Sequence, residues 1–193
     1  KMDLNTKNLV KIAMLSAISF ALMMLSFPIA AIFPAFLKLD LSDLPALLGG
    51  FAIGPVAGVL IELIKNILNI LIKGTDTGGI GELSNFIVGC CFVIPASLIY
   101  LRQKDKKHAL LGLLAGTMVM TVGACFSNAF LIIPLYRKFM PLEQILAASP
   151  VKAVTDVKTL ILFGIVPFNL FKSIILSAVT LLIYKKLSPV LHK

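Results

Sequence analysis

The chain has 193 residues, 59% hydrophobic and 14% charged, with 18 Lys and Arg against 9 Asp and Glu for a formal net charge of +9. A mean hydropathy of +1.00 excludes an ordinary soluble domain. In so apolar a protein the basic excess marks cytoplasmic loops rather than a nucleic-acid partner.

Apolar runs of about 20 residues, the length that crosses a bilayer as a helix, predict an all-α integral membrane protein. The pattern predicts six transmembrane helices in a single domain over 1–193, at approximately 9–30, 44–53, 55–72, 81–101, 109–135 and 159–184. No cleavable signal peptide is expected, because the first apolar run lacks an A-x-A site at its end. Cys90, Cys91 and Cys125 lie in apolar segments without metal-type spacing and read as small packing residues.

Asn5 or Thr6 is placed to cap the first helix, along which Ala13, Ala17 and Ala21 recur every four residues beside Ser16. Such a ridge lets a second helix approach closely, either inside this protein or on a different membrane protein. Pro28 and Pro34 open a connection, Ala31 to Asp43, whose mixture of Phe33, Phe36, Lys38, Leu39, Asp40, Leu41 and Ser42 suits a loop that covers something. Ser42 or Asp43 can cap the next helix, which Gly54-Pro55 stops after some ten residues, too few to span ~30 Å untilted.

The third helix carries Glu62, Lys65, Asn66 and Asn69 at i, i+3, i+4 and i+7, one polar stripe that must avoid lipid. Glu62 and Lys65 are spaced so that they could simply neutralise one another. The run KGTDTGGI over 73–80 is a Gly-rich turn, without the Gly-Lys-Ser/Thr ending of a phosphate loop. The fourth helix opens with Glu82 and Asn85 and contains Pro95; the basic run RQKDKKH follows at 102–108. Ser127 and Asn128 fall near the end of the fifth helix, and Pro141 to Ala148 predicts a short amphipathic helix in the connection beyond it.

Near the middle of the sixth helix stand Asn169 and Lys172, three apart and so on one face. A lysine at membrane depth costs roughly 2.5–3.5 kcal/mol on insertion scales, and either interface is roughly 18 Å away along the axis. Lys172 is thus either paired with a carboxylate elsewhere in the bundle or a polar handle in a ligand cavity. Pro167 cannot donate to the carbonyl of Phe163, which predicts an opened turn beside the pair.

Six segments put Lys7, Lys11, Arg102, Lys104, Lys106, Lys107, Lys185, Lys186 and Lys193 on one side. Lys38, Lys73, Arg137, Lys138, Lys152 and Lys158 fall on the other, and the bias predicts cytoplasmic termini. Asp40, Glu82, Asn85, Asn128, Asn66, Asn69 and Asn169 then converge on an outward-facing cavity. Sparse polar fixtures amid Leu, Ile and Phe form the inventory of a small-molecule pocket. No H-E-x-x-H, G-x-S-x-G or Walker A pattern supports an enzyme, and Glu62 is read as the single deep acid.

The segments KLDLSDLPALLGGFAIGP (38–55), GELSNFIVG (81–89), SNAFLIIPLY (127–136) and PFNLFKSIILS (167–177) together resemble the substrate-binding subunit of energy-coupling factor (ECF) vitamin transporters, more narrowly its riboflavin-specific members. The resemblance runs from Lys11 to Lys186. It implies a six-helix, non-enzymatic binder in a bacterial cell membrane that takes riboflavin as transported ligand, not as cofactor, under a covering loop between the first two helices. It further implies partnership with a transmembrane coupling protein and two cytoplasmic ATPase subunits. Carried over residue by residue, Asn169, Lys172, Asn128, Asn85 and Glu82 are expected to bind the ligand; Asp40 and Asn69 are expected to join them, and Leu39, Leu41 and Phe36 could supply flat walls for a tricyclic ring. Ala13, Ala17 and Ala21 match the family's A-x-x-x-A docking surface. A binder of another vitamin (thiamine or biotin) and an ion-coupled secondary carrier are the alternatives.

Overall fold

The computed structural model describes residues 5–191, with side chains as far as residue 183; the side chains of Lys185, Lys186 and Lys193 in the orientation pattern lie outside that description. Helix α1 (Thr6–Met24) starts where the Asn5 side chain accepts the backbone N–H of Asn8 at 2.9 Å. It ends before the expected 30, because Pro28 has a fixed φ and no N–H to continue the ladder. The chain instead forms a two-residue strand, β1 (Phe27–Pro28), paired antiparallel with β2 (Lys38–Leu39). This ribbon is the one departure from an all-α chain among the described residues.

Helix α2 (Asp43–Ala52) has ten residues, about 15 Å of rise and so half a hydrocarbon core. It is largely enclosed by its neighbours: Ala46, Leu47 and Phe51 are fully buried. Gly54 at φ 140° turns the chain back, in a conformation that L side chains rarely adopt. Pro55 then fits the first turn of α3 (Pro55–Leu68), where no N–H is required. A π-helical turn, Asn69–Lys73, extends α3. Helix α4 (Ile80–Tyr100) accommodates Pro95 within a continuous helix.

Helix α5 (Lys106–Ser127) runs through a second π turn, Asn128–Ile132, into α6 (Ile133–Tyr136). The predicted amphipathic piece is α7 (Leu142–Ala147). Helix α8 (Val157–Leu160), closed by a capping box between Asp156 and Thr159, passes through a third π turn, Ile161–Ile165, into α9 (Val166–Leu191). That third opening immediately precedes Pro167, where the missing N–H requires it. Among the described residues five spans are long and apolar enough to cross a membrane: Thr6–Met24, Pro55–Lys73, Ile80–Tyr100, Lys106–Tyr136 and Val157–Ile183. With the short, sheltered α2 they make the six segments.

The bundle divides along its length. One half is apolar, built on Ile12, Leu47, Phe51, Ile61, Phe92, Tyr100, Leu113 and Met120, with the Phe51 and Tyr100 rings stacked at 4.2 Å. There α4 and α5 approach through glycines: a Cβ on Gly112 would stand 2.6 Å from the Ala96 carbonyl oxygen, and one on Gly116 2.8 Å from that of Phe92. The other half, where α1, α3 and α5 finish and α2 and α4 begin, holds most of the buried polar side chains.

Candidate ligand-binding cavity

A cavity of about 230 Å³ opens in that polar half. Its wall is assembled from the end of α1 (Met23, Ser26), the strap before α2 (Phe36, Leu37, Lys38, Asp40), Asn69 and Lys73 of the first π turn, Glu82, Asn85 and Val88 of α4, Asn128, Ile132 and Tyr136, and Phe168, Asn169 and Lys172 of α9. Residues distant in sequence meet here because alternating spans bring their like ends together.

The asparagines are oriented by their own helices. Asn128 Nδ2 donates to the Ala124 carbonyl at 2.9 Å and Asn169 Nδ2 to the Ile165 carbonyl at 2.8 Å. One N–H of each amide is thereby committed to the backbone, and the side-chain oxygen, like the second N–H, is left for whatever occupies the cavity. Both sit where π turns disturb the regular ladder: Asn128 begins one and Ile165 ends another. Asn69, which begins the first π turn, donates from Nδ2 to Glu82 Oε1 at 3.0 Å.

Glu82 is gathered into the Gly-rich turn. Thr75 Oγ1 donates to its Oε2 at 2.9 Å and Thr77 Oγ1 at 3.4 Å. Thr75 and Thr77 in turn accept the backbone N–H groups of Gly79 and Gly81, each at 2.9 Å. Positive φ at Gly74, Gly78 and Gly79 shapes this turn, which explains the glycines of KGTDTGGI without any phosphate. The strap is tied across the opening by Lys38 and Asp76 at 3.2 Å, and by the Ala35 N–H donating to the Ala148 carbonyl at 2.9 Å.

Beneath the cavity lies a connected set of buried charges. Lys172 Nζ is 2.9 Å from Asp43 Oδ2 and 3.4 Å from Asp40 Oδ2. Lys65 Nζ pairs with Asp43 Oδ1, lies 2.8 Å from Glu62 Oε2 and donates to Ser42 Oγ at 2.8 Å. Ser42 Oγ donates to Asp40, and Ser19 Oγ of α1 to the Ser42 carbonyl. Lys172 is thus ion-paired and also lines the cavity. Glu62 and Lys65 do pair, within a larger group. Asn66 stays behind the wall, donating to the Glu62 carbonyl at 2.8 Å and to Asn85 Oδ1 at 3.4 Å.

Two expectations require correction. Leu39 and Leu41 do not line the cavity; strand alternation puts Lys38 and Asp40 on its side and turns Leu39 away, into a cluster with Phe33 and Phe168, while Leu41 packs on the main core. The flat walls come instead from Phe36, Tyr136 and Phe168, Phe36 being the one expected. Glu62 is not the single deep acid either, since Asp40 and Asp43 are 6% and 1% exposed. Asp43 gives α2 no side-chain cap; both its oxygens face lysines. As a helix-start aspartate it carried no sequence signal for that role, because its partners come from α3 and α9. On α1, Ala13, Ala17 and Ala21 are all exposed, while Ser16, Ser19 and Met23 on the opposite face are buried.

Comparison with known proteins decides what kind of chain this is. Residues 7–184 match the family model of the ECF transporter substrate-specific component. The chain belongs to that family. This ECF component is 37% identical over 187 residues to the riboflavin transporter FmnP of Bacillus subtilis (strain 168), covering 96% of this chain and 94% of that one. It is 38% identical over 187 residues to the riboflavin transporter RibU of Staphylococcus aureus (strain TCH60), covering 97% and 93%. Its fold matches a solved S component of a bacterial ECF transporter with a TM-score of 0.77 at 36% identity, over 97% of this chain and 98% of that one. It is accordingly a multi-pass membrane protein and a transporter component.

Proposed function

We propose that this chain is the riboflavin-binding subunit of an ECF-type, ATP-driven vitamin importer and captures its ligand from outside the cell. The observation that carries the reading is full-length similarity to proteins named as riboflavin transporters, joined to a cavity whose polar groups suit a flavin. The flavin's pyrimidine-dione edge has an imide N–H between two carbonyls. The oxygens of Asn128 and Asn169 suit the donor, and the Lys172 ammonium suits the carbonyls. Ribityl hydroxyls, which both donate and accept, suit Glu82, Asn85, Asn69 and Asp40. Phe36, Tyr136 and Phe168 offer apolar and aromatic surface for the tricyclic ring.

The partners in this reading are a transmembrane coupling protein and two cytoplasmic ATPase subunits. The exposed ridge of Ala13, Ala17 and Ala21 supports docking of a helix there, since small side chains permit the close approach that dispersion needs in lipid. The Lys and Arg pattern supports cytoplasmic termini, which turns the cavity outward. No chemical conversion is assigned: the carbonyl and amide groups hold the ligand, and energy comes from the partner ATPases.

A fluorescence titration of riboflavin with protein purified in detergent tests the reading. Quenching that saturates at one equivalent, undisturbed by excess thiamine or biotin, is expected. Unquenched riboflavin with thiamine or biotin bound instead overturns it.

A further inference from the structure

Of the cavity-lining lysines Lys38, Lys73 and Lys172, Lys172 is the buried one, and an ammonium on a four-carbon stem has little directional preference of its own. Its nearest partner is not a cavity residue. Asp43 lies behind the wall, 1% exposed, on the first turn of α2. One of its oxygens faces Lys172 at 2.9 Å and the other pairs with Lys65. Lys65 is pinned by Glu62 and Ser42, each at 2.8 Å, with Lys65, Glu62 and Ser42 all fully buried. Opposite charges thus alternate along Glu62, Lys65, Asp43 and Lys172, from the core of α3 to the cavity. Asp40, the second acid near Lys172, is farther away at 3.4 Å, belongs to the covering strap and lines the cavity itself.

We infer that Asp43 is a positioning residue for ligand binding, holding the Lys172 ammonium at the cavity wall from behind while Lys65 and Glu62 hold Asp43. The assignment rests on the riboflavin reading above. Its logic is a division of labour between two carboxylates. Asp40 shares the cavity with the ligand, so any ligand oxygen that approaches Lys172 competes with it. Asp43 does not share the cavity and keeps its contact in both states. Without Asp43, Lys172 turns fully to Asp40 and closes the place the ligand needs.

The test is a double-mutant cycle on riboflavin affinity, read by fluorescence quenching in detergent, with the melting temperature of ligand-free protein measured alongside. Asp43→Asn is expected to weaken binding about 10- to 100-fold, the range of one well-placed charged hydrogen bond. The same substitution made on Lys172→Met protein is expected to change affinity less than about 3-fold. Because Asp43 also holds Lys65, Asp43→Glu is made in both backgrounds; it keeps the charge, moves the oxygens, and is expected to recover folding but only part of the affinity. Equal losses with and without Lys172, for either variant, overturn the assignment in favour of general stability. Wild-type affinity in a folded Asp43→Asn protein overturns it as well. Wild-type protein that binds no riboflavin overturns the ligand reading and this assignment together, a result distinct from either of the others.

Discussion

At the scale of single residues, the chemistry of the cavity follows from commitments made elsewhere. Asn128 and Asn169 each spend one amide N–H on a backbone carbonyl of their own helix, which fixes the orientation of the amide and leaves its oxygen free to accept. Lys172 is the complementary donor. Lys172→Met is therefore expected to weaken riboflavin binding by about 1.5–3 kcal/mol, the worth of a hydrogen bond to a charged group; unchanged affinity in the same titration removes Lys172 from the ligand's partners. Asn169 and Lys172 were legible in the sequence because polar residues at membrane depth are costly and must have a reason. Asp43 was not, because an acid at a helix start already has an ordinary explanation. The inward or outward sense of Leu39 was equally hidden, since it depends on a two-residue strand too short to leave a periodic pattern.

At the scale of elements, the long apolar helices were legible from length and hydropathy alone, and the ends of α1 and α2 depended on proline and glycine. Of the three π turns only the opening at Pro167 was read from the sequence, although Pro134 stands in the same relation to the turn at Asn128–Ile132; the turn at Asn69–Lys73 precedes no proline. The α4–α5 contact is a tertiary feature. Gly112 and Gly116 stand four apart in a run that otherwise reads as lipid-facing, and only the neighbouring carbonyls reveal why they are glycine. Ala ordinarily gains about 1 kcal/mol over Gly within a helix, but at Gly112 its Cβ meets the Ala96 carbonyl oxygen at 2.6 Å, a backbone atom with no rotamer to escape into. The clash outweighs propensity. Gly112→Ala is expected to destabilise the protein by about 1–3 kcal/mol, seen as a lower melting temperature in detergent; an unchanged or higher one would show that α4 and α5 separate freely.

For the molecule as a whole, one half is an apolar anchor and the other a polar receptacle, and α1 shows two faces: Ser16, Ser19 and Met23 buried, Ala13, Ala17 and Ala21 exposed. The sequence alone left the alanine ridge divided between internal packing and a partner, and its exposure supports the partner. Ala17→Leu is expected to leave riboflavin affinity unchanged in detergent while abolishing co-purification with a coupling protein and its ATPases, because a branched side chain holds helices apart. Intact assembly would place the docking surface elsewhere. The central claim is that the receptacle is built for riboflavin, and the absorption spectrum of protein purified in detergent from cells grown in ordinary medium tests it most directly. The account predicts flavin bands in near-stoichiometric amount, released on denaturation and chromatographing as riboflavin. A colourless protein that also takes up no added riboflavin would contradict it.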